Sequence, residues 1–148
     1  MSVICLDASL VISWLLEEDL SPQADAKLEE WRAADVEFVA PHLLGAEVPS
    51  ILRQAVHRSR ITVEESDEAY QSFVGMRIGI RQPDRLLARA WELGTVLDAP
   101  RLYDMHYVAL AELEQCELWT ADRRLVNLAS RRTKLVHWIG DAPGGNHG

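Results

Sequence analysis

Four acidic residues, spread from one end of the sequence to the other, are candidates for a single site: Asp7, Glu47, Asp104 and Asp122. Asp7 ends the apolar run Val3-Ile4-Cys5-Leu6 and is followed by Ala8-Ser9. Asp122 follows Leu118-Trp119, in Thr120-Ala121-Asp122-Arg123-Arg124-Leu125. Glu47 interrupts an otherwise apolar helical pattern, Leu43-Leu44-Gly45-Ala46-Glu47-Val48, and Asp104 stands at the start of another, running from Tyr103 to about Glu114. Taken singly, an Asp at a helix N-terminus is a cap worth ~1 kcal/mol, and Glu47 could be solvated on a partly exposed helix. Taken together they raise an electrostatic problem. Unpaired carboxylates that share a crevice repel one another, and a buried carboxylate needs a partner or a metal. No lysine or arginine lies within four residues of Glu47, and His42 and His57 fall off its face. A hard divalent cation such as Mg²⁺ or Mn²⁺, which prefers oxygen ligands, resolves the conflict.

Other site chemistries find less support. The histidines at 42, 57, 106, 137 and 147 show neither HExxH nor a fixed zinc spacing. Ser9 lacks the G-x-S-x-G setting of a hydrolase elbow. There is no GxGxxG and no P-loop. Asp7-Ala8-Ser9 lacks the second aspartate of an Asp-x-Asp phosphohydrolase. A receiver-like phosphoacceptor domain would need an Asp after the third strand, where the chain reads Ile80-Arg81-Gln82-Pro83. Trp14, Trp31, Trp91, Trp119 and Trp138 are dispersed, which suits packing better than base stacking.

The elements that must position the acids follow from periodicity. Short apolar strands are expected at Val3–Leu6, Val36–Ala40, within 77–81, at Leu118–Trp119 and at Leu135–Ile139. Between them lie helical patterns from Ala8, from Ser21-Pro22 with Ser21 as cap, from Leu43, from the capping box Thr62-Val63-Glu64-Glu65, from Pro83, from Tyr103 and from Asp122. Strands alternating with helices predict an α/β fold with a mostly parallel sheet, and such sheets bind ligands at the carboxyl ends of their strands. Asp7 and Asp122 occupy equivalent places after strands 1 and 4, so both enter one crevice if those strands are neighbours.

The 148 residues suit one domain, expected over 1–140, with a disordered tail at 141–148. No apolar run is long enough for a bilayer, and the start lacks a basic signal-peptide region, so no membrane association and a cytoplasmic address are expected. Cys5 and Cys116 read as reduced, buried thiols. The net charge of −8 sits wholly in residues 1–50, which hold two basic and ten acidic side chains. That argues against gripping nucleic acid over the whole surface. Two purely basic stretches, Arg53/His57/Arg58/Arg60 and Arg123/Arg124/Arg131/Arg132/Lys134, permit a phosphate-bearing ligand at one face.

The four acidic blocks, in this order and at these distances, resemble the PIN domain, and specifically the VapC-type ribonuclease toxins of toxin–antitoxin pairs. The matching blocks are Val3-Ile4-Cys5-Leu6-Asp7-Ala8-Ser9, Pro41-His42-Leu43-Leu44-Gly45-Ala46-Glu47-Val48, Tyr103-Asp104-Met105-His106-Tyr107-Val108-Ala109-Leu110-Ala111-Glu112 and Thr120-Ala121-Asp122-Arg123-Arg124-Leu125. The chain departs from the family pattern at Pro49-Ser50, where Pro49 predicts a kink near Glu47, and at Gln115-Cys116, where a Gly is common. The resemblance implies a five-stranded sheet in the order 3-2-1-4-5 and RNA cleavage dependent on one or two Mg²⁺ or Mn²⁺ ions. It makes Asp7, Glu47, Asp104 and Asp122 the catalytic, metal-holding quartet, with Ser9 and Thr120 in support. It further implies a VapB-type antitoxin partner and a homodimer. Arg123, Arg124 and Arg53 are candidate contacts to RNA or antitoxin on the ground of charge alone. The alternative is a PIN-fold module that binds RNA or a partner with little or no catalysis.

Overall fold

The computed structural model describes residues 2–143. Most of the tail expected at 141–148 therefore lies outside the described residues. Five strands, β1 (Val3–Leu6), β2 (Glu37–Ala40), β3 (Gly79–Ile80), β4 (Glu117–Thr120) and β5 (Val136–Trp138), form one sheet in the order β3-β2-β1-β4-β5. Every pairing is parallel, so the sheet is parallel throughout. Strands 1 and 4 are neighbours, with Leu6 paired to Trp119. That register sets Asp7 level with Thr120.

A central parallel strand is covered on both faces and reads as an apolar run. Cys5, Leu6, Val39, Ala40 and Leu118 are accordingly wholly buried. Seven helices cover the sheet: α1 (Ala8–Leu15), α2 (Ser21–Ala33), α3 (Leu44–His57), α4 (Val63–Gly75), α5 (Leu86–Val96), α6 (Tyr103–Glu114) and α7 (Arg123–Ala129). One group is α1 with α2, α3 and α4 around it; in the other, α6 lies on β1 and β4 and pairs with α5. The Thr62 capping box forms as its sequence predicts: Thr62 Oγ1 accepts from Glu65 N, and Glu65 Oε1 accepts from Thr62 N, each at 3.0 Å.

Several boundaries differ from the sequence reading for identifiable reasons. Ser21 is not a cap. Leu20 occupies the N-cap position, and Ser21 turns inward. Its hydroxyl shares its proton between the carbonyls of Ser13 (2.7 Å) and Leu16 (3.0 Å) and accepts from Glu18 N (2.8 Å). It thereby closes the α1–α2 turn. Ser21→Ala leaves these buried groups unpaired, and the expected result is a loss of ~1–3 kcal/mol, read as a lowered denaturant midpoint with unchanged slope. Pro83 does not open α5: Leu86 N bonds the Pro83 carbonyl across a turn, and the helix begins at Leu86. Pro49 sits inside α3 without interrupting it. Gln115 adopts the left-handed conformation (φ 51°, ψ 50°) that a glycine would take, so the turn into β4 survives the missing Gly. Leu10 and Trp31 belong to the core, and Trp14 and Met76 pack against it. The exposed large apolar side chains include Leu87 and Trp91 on α5 and Tyr103 on α6.

Candidate active site

The carboxyl ends of β1 and β4 meet in a hydrogen-bonded knot. Asp7 caps α1, accepting from Leu10 N through Oδ1 (3.0 Å). Ser9 Oγ lies 2.8 and 3.0 Å from its two carboxylate oxygens, and Thr120 Oγ1 donates to Oδ2 at 2.5 Å. Ala121 N donates to Ser9 Oγ and Asp122 N donates to Thr120 Oγ1, both at 3.0 Å, and the two hydroxyl oxygens lie 3.1 Å apart. An ionised carboxylate can only accept, so the ionised Asp7 draws the hydroxyl protons toward itself. A hydroxyl pair drawn from α1 and β4, far apart in sequence, thus orients one carboxylate.

Asp7 is also the most deeply buried acid of the set. Burial pushes its pKa from 3.8 up to about 7, against the downward pull of the Thr120, Leu10 and Ser9 hydrogen bonds, with the Asp104 charge adding a smaller push upward. The other three line the same cavity of about 480 Å³, together with Ser9, Tyr107 and Arg101. Asp122 caps α7, with Oδ1 accepting from Arg124 N at 3.0 Å. Asp104, in the first turn of α6, is raised in pKa chiefly by burial, with Arg101 pulling down and Asp122 pushing up. Glu47 projects from α3 and accepts from Tyr107 Oη at 2.6 Å. Burial raises its pKa, the tyrosine bond lowers it, and Asp104 raises it. Asp104 is therefore the hub, because its charge is felt by Asp7 and Glu47 and it feels that of Asp122.

All four sequence candidates converge on one cavity, and Ser9 and Thr120 lie beside Asp7. They do not form a closed cage: among the described residues, no three His, Cys, Asp or Glu side chains converge closely enough to chelate an ion by themselves. The arginines divide. Arg124 approaches Asp122 (Nε to Oδ1, 3.6 Å). Arg123 turns away and lies over the Trp138 ring at 4.8 Å, and Arg53 does not line the cavity. Among the lining residues that the sequence did not single out are Tyr107 and Arg101. Tyr107 reads as one more apolar position on an amphipathic helix; the signal was a tyrosine in a buried stripe, whose hydroxyl needs a partner. Arg101 stands outside both basic stretches and carried no sequence signal.

The chain matches the PIN domain model over residues 4–130. It is 34% identical over 123 residues to VapC ribonuclease Mb0985 of Mycobacterium bovis, covering 83% of this chain and 88% of that one. Ribonuclease VapC9 of Mycobacterium tuberculosis matches with the same identity and coverage. Among solved structures, VapBC2 from Rickettsia felis, bound to a DNA fragment from their promoter, superposes with a TM-score of 0.66 at 15% identity, covering 92% of this chain and 98% of that one. PAE2754 from Pyrobaculum aerophilum gives 0.63 at 16%, covering 94% and 90%. At such identities the structural likeness speaks for the fold. The sequence likeness goes further, since the family model runs from β1 through α7 and so takes in all four acidic blocks: the chain belongs to the PIN-domain family and, within it, to the VapC group.

Proposed function

We propose that this protein is a divalent-metal-dependent endoribonuclease acting as the toxin of a toxin–antitoxin pair. The observation that carries the chemistry is the convergence of four carboxylates from separate elements on one cavity, with Asp7 held by two hydroxyl donors. The similarity to proteins named as VapC ribonucleases supports RNA as substrate.

The donor set fits a hard cation. It is oxygen only, rich in charge, and open enough that an ion would keep several of its own waters, as Mg²⁺ does. Asp7, Glu47, Asp104 and Asp122 would hold it. When bound, such an ion supplies an activated water and neutralises charge on the phosphate oxygens. The protein's own groups prepare the place. Ser9 and Thr120 aim Asp7 at the cavity. Tyr107 spends its hydroxyl on Glu47, which leaves the other carboxylate oxygen free for a second partner. Asp122 spends one oxygen on the α7 N-terminus, so capping and site duty coexist in one side chain. In-line attack on the phosphodiester would leave a 5′-phosphate and a 3′-hydroxyl.

The remaining attributes rest on the same reading. Among the described residues no helix is long and apolar enough to cross a membrane, and we place the reaction in the cytoplasm with its RNA. A VapB-type antitoxin would silence the enzyme by occupying the groove. A second copy would cover the exposed Leu87 and Trp91 on α5.

Cleavage of single-stranded RNA in Mg²⁺ or Mn²⁺ tests the reading. Activity is expected to vanish on chelation and return with the ion. Asp104→Asn, which removes the hub charge, is expected to lower it on the order of 10³-fold. RNA bound but never cleaved would favour a catalytically silent binding module, and activity that persists in chelator or in the Asp104 variant would overturn the mechanism.

A further inference from the structure

A second hollow opens directly off the acidic one. It shares Arg101, Asp104 and Asp122 with it and adds Arg124 and Arg131. Its three arginines come from the α5–α6 loop and from the two ends of α7. Two arginines elsewhere show what a committed guanidinium looks like. Arg89 is held by Glu112 (2.7 Å) and Glu92 (3.0 Å), and Arg81 by Glu37 (3.2 Å) and Glu114 (3.5 Å). The trio is not so committed. Arg101 stands 4.0 Å from Asp104 with its side chain 64% exposed, and Arg124 stands 3.6 Å from Asp122 with its side chain 86% exposed. Exposed pairs at these distances are weak, and a guanidinium exchanges such a contact readily for bidentate bonds to a phosphate. The opposite flank of the acidic cavity, reached past Ser9, is lined by Ile12, Glu18, Asp19, Leu20 and Trp138. Glu18 there is paired with Arg60 at 3.4 Å, and no arginine lines this flank.

On the ribonuclease reading above, we propose that Arg101, Arg124 and Arg131 form a second phosphate subsite. It holds the backbone phosphate adjacent to the scissile one, so that the minimal good substrate carries two phosphates. Three guanidiniums line one flank and none lines the other, which gives the RNA strand a direction across the site. Acid and base charges are adjacent because they serve successive groups of one polyanion, the acids through a cation and the arginines directly.

Two measurements test this, one independent of cleavage. In the first, a dinucleoside monophosphate is compared with the same molecule bearing one additional phosphate on its 5′ or its 3′ side. The added phosphate is expected to lower KM on one side only, roughly tenfold for a charged contact of ordinary strength, and the Arg101→Gln/Arg124→Gln/Arg131→Gln variant is expected to lose that advantage. In the second, binding of a single-stranded oligoribonucleotide to Asp7→Asn protein is followed against salt. Each arginine substitution is expected to reduce the slope of log K on log[salt] by ~0.7, while Arg32→Gln on α2, an equal change in net charge, leaves it unaltered. An unchanged slope and an unchanged KM in the triple variant overturn the subsite. So does RNA binding that stays intact while binding of an acidic protein partner is lost. A wild-type protein that binds RNA with the expected slopes but cleaves nothing overturns the nuclease reading instead and leaves the subsite standing.

Discussion

Asp7→Asn is expected to abolish RNA cleavage and, at the same time, to make the metal-free protein more stable at pH 8. On the function proposed above, the loss of activity, on the order of 10³-fold, follows from removing one of the four carboxylates that would hold the cation. The gain in stability follows from linkage. The carboxyl titrates at about 7 in the folded protein against 3.8 for the ordinary group, and burial is the main cause. Between those values the unfolded chain gives up the proton while the folded protein keeps it, so the folded state binds more protons. Stability then falls as pH rises through this window and stays low above it. A displacement of that size corresponds to at most ~4 kcal/mol; because Asn forfeits part of the hydrogen bonding, ~2 kcal/mol is the more useful expectation, a rise in Tm of ~5 °C. Calorimetry in chelator at pH 4 and pH 8 checks it, with the advantage of the variant opening as pH rises. A variant less stable than wild type at pH 8, or a difference that ignores pH, would sink the argument. Added Mg²⁺ is expected to raise the Tm of the wild type and not of the variant.

Thr120→Val should be nearly as damaging, although Thr120 is wholly buried and belongs to no list of acids. The shape is conserved and the hydroxyl is lost. Asp7 Oδ2 then lacks its 2.5 Å donor, and Asp122 N lacks its 3.0 Å acceptor. Asp7 Oδ2 keeps only its Ser9 contact at 3.0 Å, and the half-buried Asp122 N is left unpaired, a cost of ~1–3 kcal/mol. Since the Thr120 bond lowers the Asp7 pKa, its loss lets that pKa climb further, and the acid limb of the pH–rate profile is expected to move to higher pH. Thr120→Ser keeps the hydroxyl and should restore the limb. A Val variant with the wild-type profile would show that Thr120 is packing alone.

Much of this architecture was legible because its signals are local. Asp7 and Asp122 each end an apolar run and start a helical one, which locates a strand, a turn and a cap at once. The β1–β4 adjacency was not local. It came from family resemblance, and the ladder from Ile4–Glu117 to Leu6–Trp119 bears it out. What escaped was side-chain direction. The Tyr107 hydroxyl finds Glu47 across 60 residues of sequence, and no periodicity encodes that. Ser21 followed by Pro22 matches a helix-start pattern, but a buried hydroxyl with three backbone partners outcompetes the capping role. Arg123 and Arg124 are indistinguishable by composition. Their successive positions on α7 send one over Trp138 and the other to the rim of the acids.

The Asp7–Thr120 bond closes a loop of 113 residues. Loops of that size form late, after local helices and hairpin-range contacts, because the closure entropy must be met before the contact returns anything. The consequence concerns timing. No stretch shorter than residues 7–122 can assemble the site, and the acids acquire their arrangement only when β4 docks beside β1. During synthesis, a ribosome that has released the first hundred residues carries no nuclease. By the topology of its sheet, the chain cannot close the proposed site until Asp122, the last of the four carboxylates, has emerged.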